Sequence, residues 1–388
     1  MSRLDELIQE LCPDGVEYKK IEEVANYEQP SKYIVKSTKY DDSYVTPVLT
    51  AGQTFILGYT NETDGIFQAS KDNPVIIFDD FTGAFKWVDF PFKVKSSAMK
   101  IITIKENNMP LRYLFHIMGN LGFKSDEHKR LWISIYSQLK IPVPPLEVQR
   151  EIVRVLDSFT LLTAELTAEL TARKKQYEYY RDELLKPKTN IPMVKLGEIA
   201  TIVRGASPRP IKNFITTDED GVNWIKIGDV AQGSKYVMRA NEKITEAGAK
   251  RSRRVKPGDF ILSNSMSFGR PYILKIDGCV HDGWLIISEY DNNYLPDFLY
   301  HLLNSTSVQQ EMAKRASFGG AVQNLNADIV KALVLPVPPL DVQKRYADVL
   351  DNFEKICNDI SIGLPAEIEA RQKQYEFYRD KLLSFKQL

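Results

Sequence analysis

The chain has 388 residues, too many for one ordinary core and enough for two or three domains of roughly 150 residues each. With 43% apolar and 26% charged residues it is globular, which excludes a disordered or collagen-like polymer. Lys plus Arg equals Asp plus Glu at 51 each, so global charge implies no polyanion partner, and any nucleic-acid surface must come from local segregation of charge.

In chain order, Met1–Ile8 is acidic and amphipathic, unlike a signal peptide. Pro13-Asp14 and Glu17-Tyr18-Lys19 resemble a nuclease metal motif only superficially, because the spacing is too short to put the acids on adjacent strands. Lys32, Lys36 and Lys39 alternate with Tyr33 and Tyr40, an interleaving that suits a nucleic-acid surface. Thr50–Gly65 reads as loop. Pro74–Phe78 and Met99–Ile104 read as buried strands, and Leu111–Gly119 as a short helix. Asp79-Asp80 could hold a metal, although an acid pair at a strand end is ordinarily just solvated. Lys129-Arg130-Leu131-Trp132 offers polar and aromatic groups for DNA, with Trp132 equally suited to a core.

Residues 141–185 then read IPVPPLEVQREIVRVLDSF…ARKKQYEYYRDELL. Core candidates at Ile152, Leu156, Phe159, Thr163, Leu166, Leu170, Arg173, Tyr177, Tyr180 and Leu184 alternate in steps of four and three, the seam of a coiled coil with Thr163 and Arg173 as its weak positions. Pro144-Pro145 marks where the helix begins.

The second half repeats this plan. Lys195–Ala200 matches Lys20–Ala25, Asp259–Leu262 matches Pro74–Ile77, and Leu299–Leu302 matches Leu114–Ile117. Arg204 and Arg209 lie among Gly, Ser and Pro in loops able to approach a groove. Residues 250–256 hold five basic side chains in seven, Arg251, Arg253 and Arg254 among them, a local patch suited to phosphates. Ser263-Asn264-Ser265 and Arg270 follow a strand, and Asn264 and Arg270 can reach base edges. Leu285–Ser288 reads as a strand, Pro296–Asn304 as a helix and Ser317–Asn326 as a loop. Gln323-Asn324-Leu325-Asn326 stands where Lys129–Trp132 stands in the first half, as two readers of different half-sites require.

Residues 335–383 return to LPVPPLDVQKRYADVLDNF…ARQKQYEFYRDKLL. Here Gly363 and Pro365 coincide with one extra four-residue step, so a kink or break is expected. The whole is α+β: two tandem globular domains (1–140 and 189–334) and two long helices (141–188 and 335–388) forming a pseudo-twofold internal repeat. Antiparallel pairing would bring the chain back to its start and make a rod of roughly 60 Å between two readers.

Several chemistries find no support. There is no phosphate-binding GxxxxGK[ST] loop, no GxGxxG and no [DN]PP[YF] motif of amino methylation. Cys12, Cys279 and Cys357 form no CxxC pair, which argues against a disulfide framework or thiolate zinc and fits a reducing cytoplasm. No stretch approaches the roughly 18 apolar residues of a membrane span. His116, His128, His281 and His301 make no HxH or HExxH, and the equivalent pair His116 and His301 reads as packing.

With its repeats, its IPVPPLEVQ and LPVPPLDVQ segments and its KQYEYYRDELL and KQYEFYRDKLL endings, the chain resembles type I restriction–modification specificity subunits over essentially its full length. The resemblance implies two target recognition domains joined by spacer helices, each domain reading half of a bipartite, asymmetric site in double-stranded DNA. It implies no catalytic residue and no cofactor or metal on this chain. Two methyltransferase subunits using S-adenosylmethionine and two restriction/translocase subunits using ATP and Mg²⁺ would be its partners, with no membrane. The near-identical helix ends, with Tyr177, Tyr180, Tyr375 and Tyr378, are the candidate docking points. A stand-alone bivalent DNA-binding protein is the alternative.

Overall fold

A computed structural model describes residues 3–50, 54–105, 109–121, 130–230, 233–264, 268–316, 324–359 and 361–388. Its principal helices are α1 (Arg3–Leu11), α2 (Leu111–Asn120), α3 (Leu146–Leu185), α4 (Pro296–Leu303), α5 (Leu340–Asn358) and α6 (Leu364–Leu382). The chain forms two compact units, residues 1–165 with 369–388 and residues 166–368. Thus α3 begins in unit 1 and ends in unit 2, while α5 lies in unit 2 and α6 begins in unit 2 and ends in unit 1.

The repeat seen in the sequence is a repeat of topology. In unit 1 the strands Ala25–Glu28, Met99–Ile104, Val75–Asp79 and Phe85–Val88 lie side by side in that order. In unit 2 the order is Thr201–Arg204, Trp284–Ser288, Phe260–Ser263, Pro271–Leu274 and then Tyr236–Val237. The central strands Val75–Asp79 and Phe260–Ser263 are buried along their length, as expected of apolar runs covered on both faces. Each unit adds a two-stranded pair, Glu17–Lys20 with Lys140–Val143 and Met193–Lys195 with Val334–Pro336. A one-turn helix follows each pair's first strand, at Ile21–Val24 and Leu196–Ile199.

The second sheets differ. Among the described residues the second sheet of unit 1 has three strands, Ile56–Thr60, Thr46–Leu49 and Lys93–Val94, and that of unit 2 has five. Ile56–Thr60 corrects the loop expected over Thr50–Gly65. Its Gly58 reads as a breaker, but a Cβ there would stand 2.8 Å from Tyr40 Cβ, so the strand needs glycine for close packing. The loop expected over Ser317–Asn326 lies outside the described residues as far as Gln323.

Buried ion pairs shape unit 1. Lys100 and Asp80, each 1% exposed, meet at 3.0 Å, and Asp80 Oδ1 accepts from the Trp132 amide at 2.8 Å. Asp79 accepts from the Phe81 amide and the Thr82 hydroxyl. The Asp79-Asp80 pair is therefore a buried anchor for two loops, neither solvated nor open to a metal. Lys93, also 1% exposed, meets Glu62 at 3.0 Å, and Glu62 accepts from the Lys36 and Ser37 amides at 2.8 Å each. Removing one member of such a pair would leave a buried charge and destabilise by about 3–5 kcal/mol.

Both long helices start at the Pro-Pro step, where Gln149 and Gln343 turn back to donate to the carbonyls of Pro144 and Pro338. The seam is buried at Ile152, Leu156, Leu350 and Cys357, whereas Arg173 and the outer seam tyrosines are exposed. At the helix ends Leu185 and Leu383 are fully buried and Leu184 and Leu382 only half, because there the helices rest on the domain cores.

The expected break is present. Helix α5 ends at Asn358, Asp359 Oδ1 accepts from the amides of Ser361 and Ile362, and α6 starts at Leu364 with Pro365 in its first turn. A Cβ on Gly363 would lie 2.6 Å from the Asp359 carbonyl oxygen and 2.7 Å from that of Lys355. Gly363→Ala is therefore expected to destabilise the protein by about 1–3 kcal/mol, a fall of several degrees in Tm. An unchanged unfolding temperature would show that the break tolerates a side chain.

Candidate nucleic-acid interface

The surface expected to meet DNA rests on a joint between each domain and the helices. His116 of α2 and His301 of α4, the equivalent histidines, are fully buried. In unit 1, His116 Nδ1 lies 3.0 Å from the Tyr375 hydroxyl and Nε2 lies 2.8 Å from Asp157. In unit 2, His301 Nδ1 lies 3.0 Å from the Tyr177 hydroxyl and Nε2 lies 2.6 Å from Asp351. Each joint thus unites a domain helix, the start of the helix that follows it, and the end of the other helical segment. The two histidines pack, as their apolar helices suggested, and they also bridge.

A cation steadies each joint. Arg112 meets Asp157 at 2.7 Å, and Lys235 meets both Asp351 and Asp297 at 2.6 Å. Burial works against the Asp157 and Asp351 charges, but the hydrogen bonds from histidine and cation outweigh it and hold both carboxyls below the usual range. Burial lowers the His116 value against the pull of Asp157, favouring the neutral ring. His301, Asp351 and Glu354 converge closely enough to suggest a metal site. Here both ring nitrogens are engaged, the Lys235 ammonium already pairs with Asp351, and Glu354 accepts from the Tyr300 hydroxyl at 2.8 Å.

In unit 2 the structure gathers several of the expected DNA residues around one turn, His281–Gly283. The Asp282 carbonyl accepts from Arg204 Nε at 2.8 Å and from the Asn264 amide nitrogen at 3.1 Å. Its carboxylate accepts from the Ser207 hydroxyl at 2.7 Å and from Arg209 at 3.2 Å. The Ser207 bond, against some burial, holds the Asp282 carboxyl below its ordinary range. Ser252 within the basic run donates to the Ala206 carbonyl at 2.6 Å, which ties the run to the loop that bears Ser207 and Arg209.

Several assignments change. Asn264 is 5% exposed with its amide committed to Asp282, so it positions the turn and does not face solvent. Arg254 is held by Glu246 through both carboxylate oxygens, at 2.6 and 2.5 Å, whereas Lys250, Arg251, Arg253 and Lys256 are exposed charges of the run with no carboxylate of the described residues so close. Arg270 lies over the Tyr272 ring and lines a separate recess with Arg181, Tyr300 and Glu354, away from the Asp282 turn. Asn324 is exposed beside Leu325, whose amide donates to the Asn264 carbonyl; Gln323 lies outside the described residues. Ser207 and Asp282 escaped the sequence reading because a lone Asp between strands carries no pattern.

In unit 1, Lys32, Lys36, Lys39 and Arg130 are exposed. Lys32 pairs with Glu28 at 3.3 Å, and the Lys36 loop is held by Glu62. Trp132 is 1% exposed and packs edge-on against Phe78 and stacked on Tyr136, so it is a core residue and cannot touch DNA. Lys129 lies outside the described residues.

At the helix ends, Tyr177 is buried and Tyr375 half-buried, and both are spent in the joints, which removes them as docking points. Tyr180 stacks near Phe353 and Tyr378 on Phe159, yet both remain about two-fifths exposed (41% and 39%). Their neighbours Tyr179 and Phe377, which the sequence reading passed over, are exposed at equivalent positions.

Tyr177→Phe or Tyr375→Phe would leave a buried imidazole nitrogen unpaired, and each is expected to lower stability by about 1–3 kcal/mol. Unaltered thermal unfolding in both variants would refute the bridging role. The depressed Asp157 and Asp351 contribute fully above about pH 4 and lose their contribution as pH falls through the folded values. The depressed His116 adds a loss beginning below about pH 6.5, so acid should destabilise the protein in two stages.

The family described as "Type I restriction modification DNA specificity domain" matches residues 13–173 and again residues 189–370. The EcoR124I/EcoR124II type I restriction enzyme specificity subunit of Escherichia coli is 44% identical, covering 99% of this chain and 97% of its own. A putative type I restriction enzyme specificity subunit of Haemophilus influenzae is 33% identical over 95% of this chain and 96% of its own. Among solved structures, the type I restriction-modification S subunit from M. genitalium shares the fold with a TM-score of 0.58 at 12% identity, over 96% and 97% of the two chains. A chain from a study of complex assembly in a type I restriction-modification system gives 0.61 at 15% identity, over 96% and 98%. Two family matches coincide with the two halves of the repeat, and the stand-alone binder loses its ground: this chain belongs to the type I restriction-modification specificity subunits, the non-catalytic members of their complexes.

Proposed function

We propose that this chain selects a bipartite, asymmetric DNA site for a type I restriction-modification complex, one half-site read by residues 1–140 and the other by residues 189–334. The observation that carries the reading is a repeated joint beneath two unlike surfaces. Tyr-His-Asp recurs with the same connections in both units, while the second sheets differ in strand number and the exposed basic residues differ in position. A shared frame with divergent faces is what reading two different half-sites demands.

Its partners are DNA and the other subunits of such a complex: two methyltransferase subunits and two restriction/translocase subunits. The exposed Tyr179–Tyr180 and Phe377–Tyr378 pairs give both helix ends similar aromatic surfaces, so one kind of partner can dock twice. S-adenosylmethionine, ATP and Mg²⁺ belong to those partners, and the complex works in the cytoplasm. Among the described residues no helix is long and apolar enough to cross a membrane.

Base-resolution methylation mapping of a host with and without the gene tests this reading. A split motif should lose its methylation on deletion, and an unchanged methylome would contradict the proposal. The same experiment reads the helix. Thr163–Leu166 and Thr167–Leu170 are tandem TAEL tetrads within α3. Adding one tetrad shifts everything beyond it by about 6 Å and about 40°, and should change the unspecified spacer by one or two base pairs while leaving both half-sites intact. An altered half-site would contradict the helix's part in measuring the spacer.

A further inference from the structure

We propose that Arg209 and Asp282 together read one G·C base pair of the half-site assigned to unit 2, Arg209 taking the guanine and Asp282 the cytosine. This rests on the DNA-reading function above and assigns it a residue pair. The two side chains stand at the rim of a cleft that also includes Ser207, Trp224, Lys226 and His281. Lys226 is neutralised there by Glu242. Arg209 is 82% exposed and meets Asp282 through a single contact at 3.2 Å, so most of its donor fork faces outward.

The chemistry fits one base pair better than the others. In the major groove, guanine offers two acceptors, N7 and O6, and its cytosine offers the N4 donor. A guanidinium fork beside a carboxylate supplies the complementary order of two donors and one acceptor. An A·T pair places the adenine N6 donor where the fork would donate, leaving a donor facing a donor.

The pair is also held in place before any ligand arrives. Four groups from two chain segments fix the Asp282 turn: Arg204, Ser207 and Arg209 from one stretch and Asn264 from the end of another strand. A Cβ on Gly205 would come within 2.2 Å of the His281 carbonyl oxygen, so the arginine-bearing loop lies directly against that turn. Exposed surface ion pairs contribute little to stability, about 0–1 kcal/mol, so stability alone gives no reason for this apparatus around an exposed arginine. The tether from Ser252 to Ala206 holds the basic run against the loop that bears Arg209, and the exposed Arg251 and Arg253 of that run can hold phosphates while the pair meets the base edges.

The test is methylation mapping in hosts carrying the intact complex with the natural chain, Arg209→Lys, Arg209→Gln or Asp282→Asn. Arg209→Lys keeps the charge and removes the planar fork, so a phosphate contact would survive it whereas discrimination that depends on the fork's fixed pair of donors would fall. The expected result is a split motif in which one G·C position of one half-site relaxes, with discrimination there falling about tenfold or more, and the other half-site and spacer unchanged. Unaltered preference at every position would overturn the proposal, as would uniform weakening at all sites or loss of methylation in Arg209→Gln with Arg209→Lys unaffected. A natural chain that directs no split motif would overturn the DNA-reading function itself and this assignment with it.

Discussion

Two buried hydrogen-bonded bridges, Tyr375–His116–Asp157 and Tyr177–His301–Asp351, determine how each recognition domain is carried by its helices. Both histidines are sealed from water, so rotating either domain on its helices would strand a ring nitrogen in an apolar interior. The tyrosine in each bridge comes from the end of the helical segment that follows the other domain. Helix length can be converted into DNA spacing only if each domain is rigid on its support, and these bridges supply that rigidity within each unit.

The bridges also explain why the two halves diverged so unevenly. Residues that serve the joint recur in both copies: the Pro-Pro start, the glutamine that turns back onto it, the aspartate, the histidine and the tyrosine. The second sheets and the loops around them differ between the copies. Unit 1 anchors its lysine-bearing loop through buried Lys93 and Glu62, and unit 2 gathers its arginines around Asp282. The same frame therefore tolerates different reading surfaces, because neither surface takes part in holding the frame.

The helices, the internal repeat and the main strands were legible in the sequence because they obey periodicity. Four-three spacing, apolar runs and a Gly–Pro step each have one structural meaning over enough residues to be counted. The break at Gly363 and the strand Met99–Ile104 fall where the pattern put them. The site was legible only in part. Arg204 and Arg209 do converge, but composition could not show that Arg254 is bound by Glu246, that Trp132 is core, or that Asn264 is turned inward. Those facts depend on partners far away in sequence. Tyr177 and Tyr375 recur in both copies because each bonds a buried histidine, and recurrence marks a shared contact without saying whether that contact lies inside the protein or outside it.

The central claim is that each domain reads its half-site independently on a common frame. The most direct measurement is methylation mapping after residues 189–334 are exchanged for the corresponding segment of another family member, with His301 and both helical segments retained. The account predicts that one half-site changes while the other half-site and the spacer length stay as they were. A change in both half-sites would contradict it, because reading would then be a property of the two domains jointly and not of each on its own support.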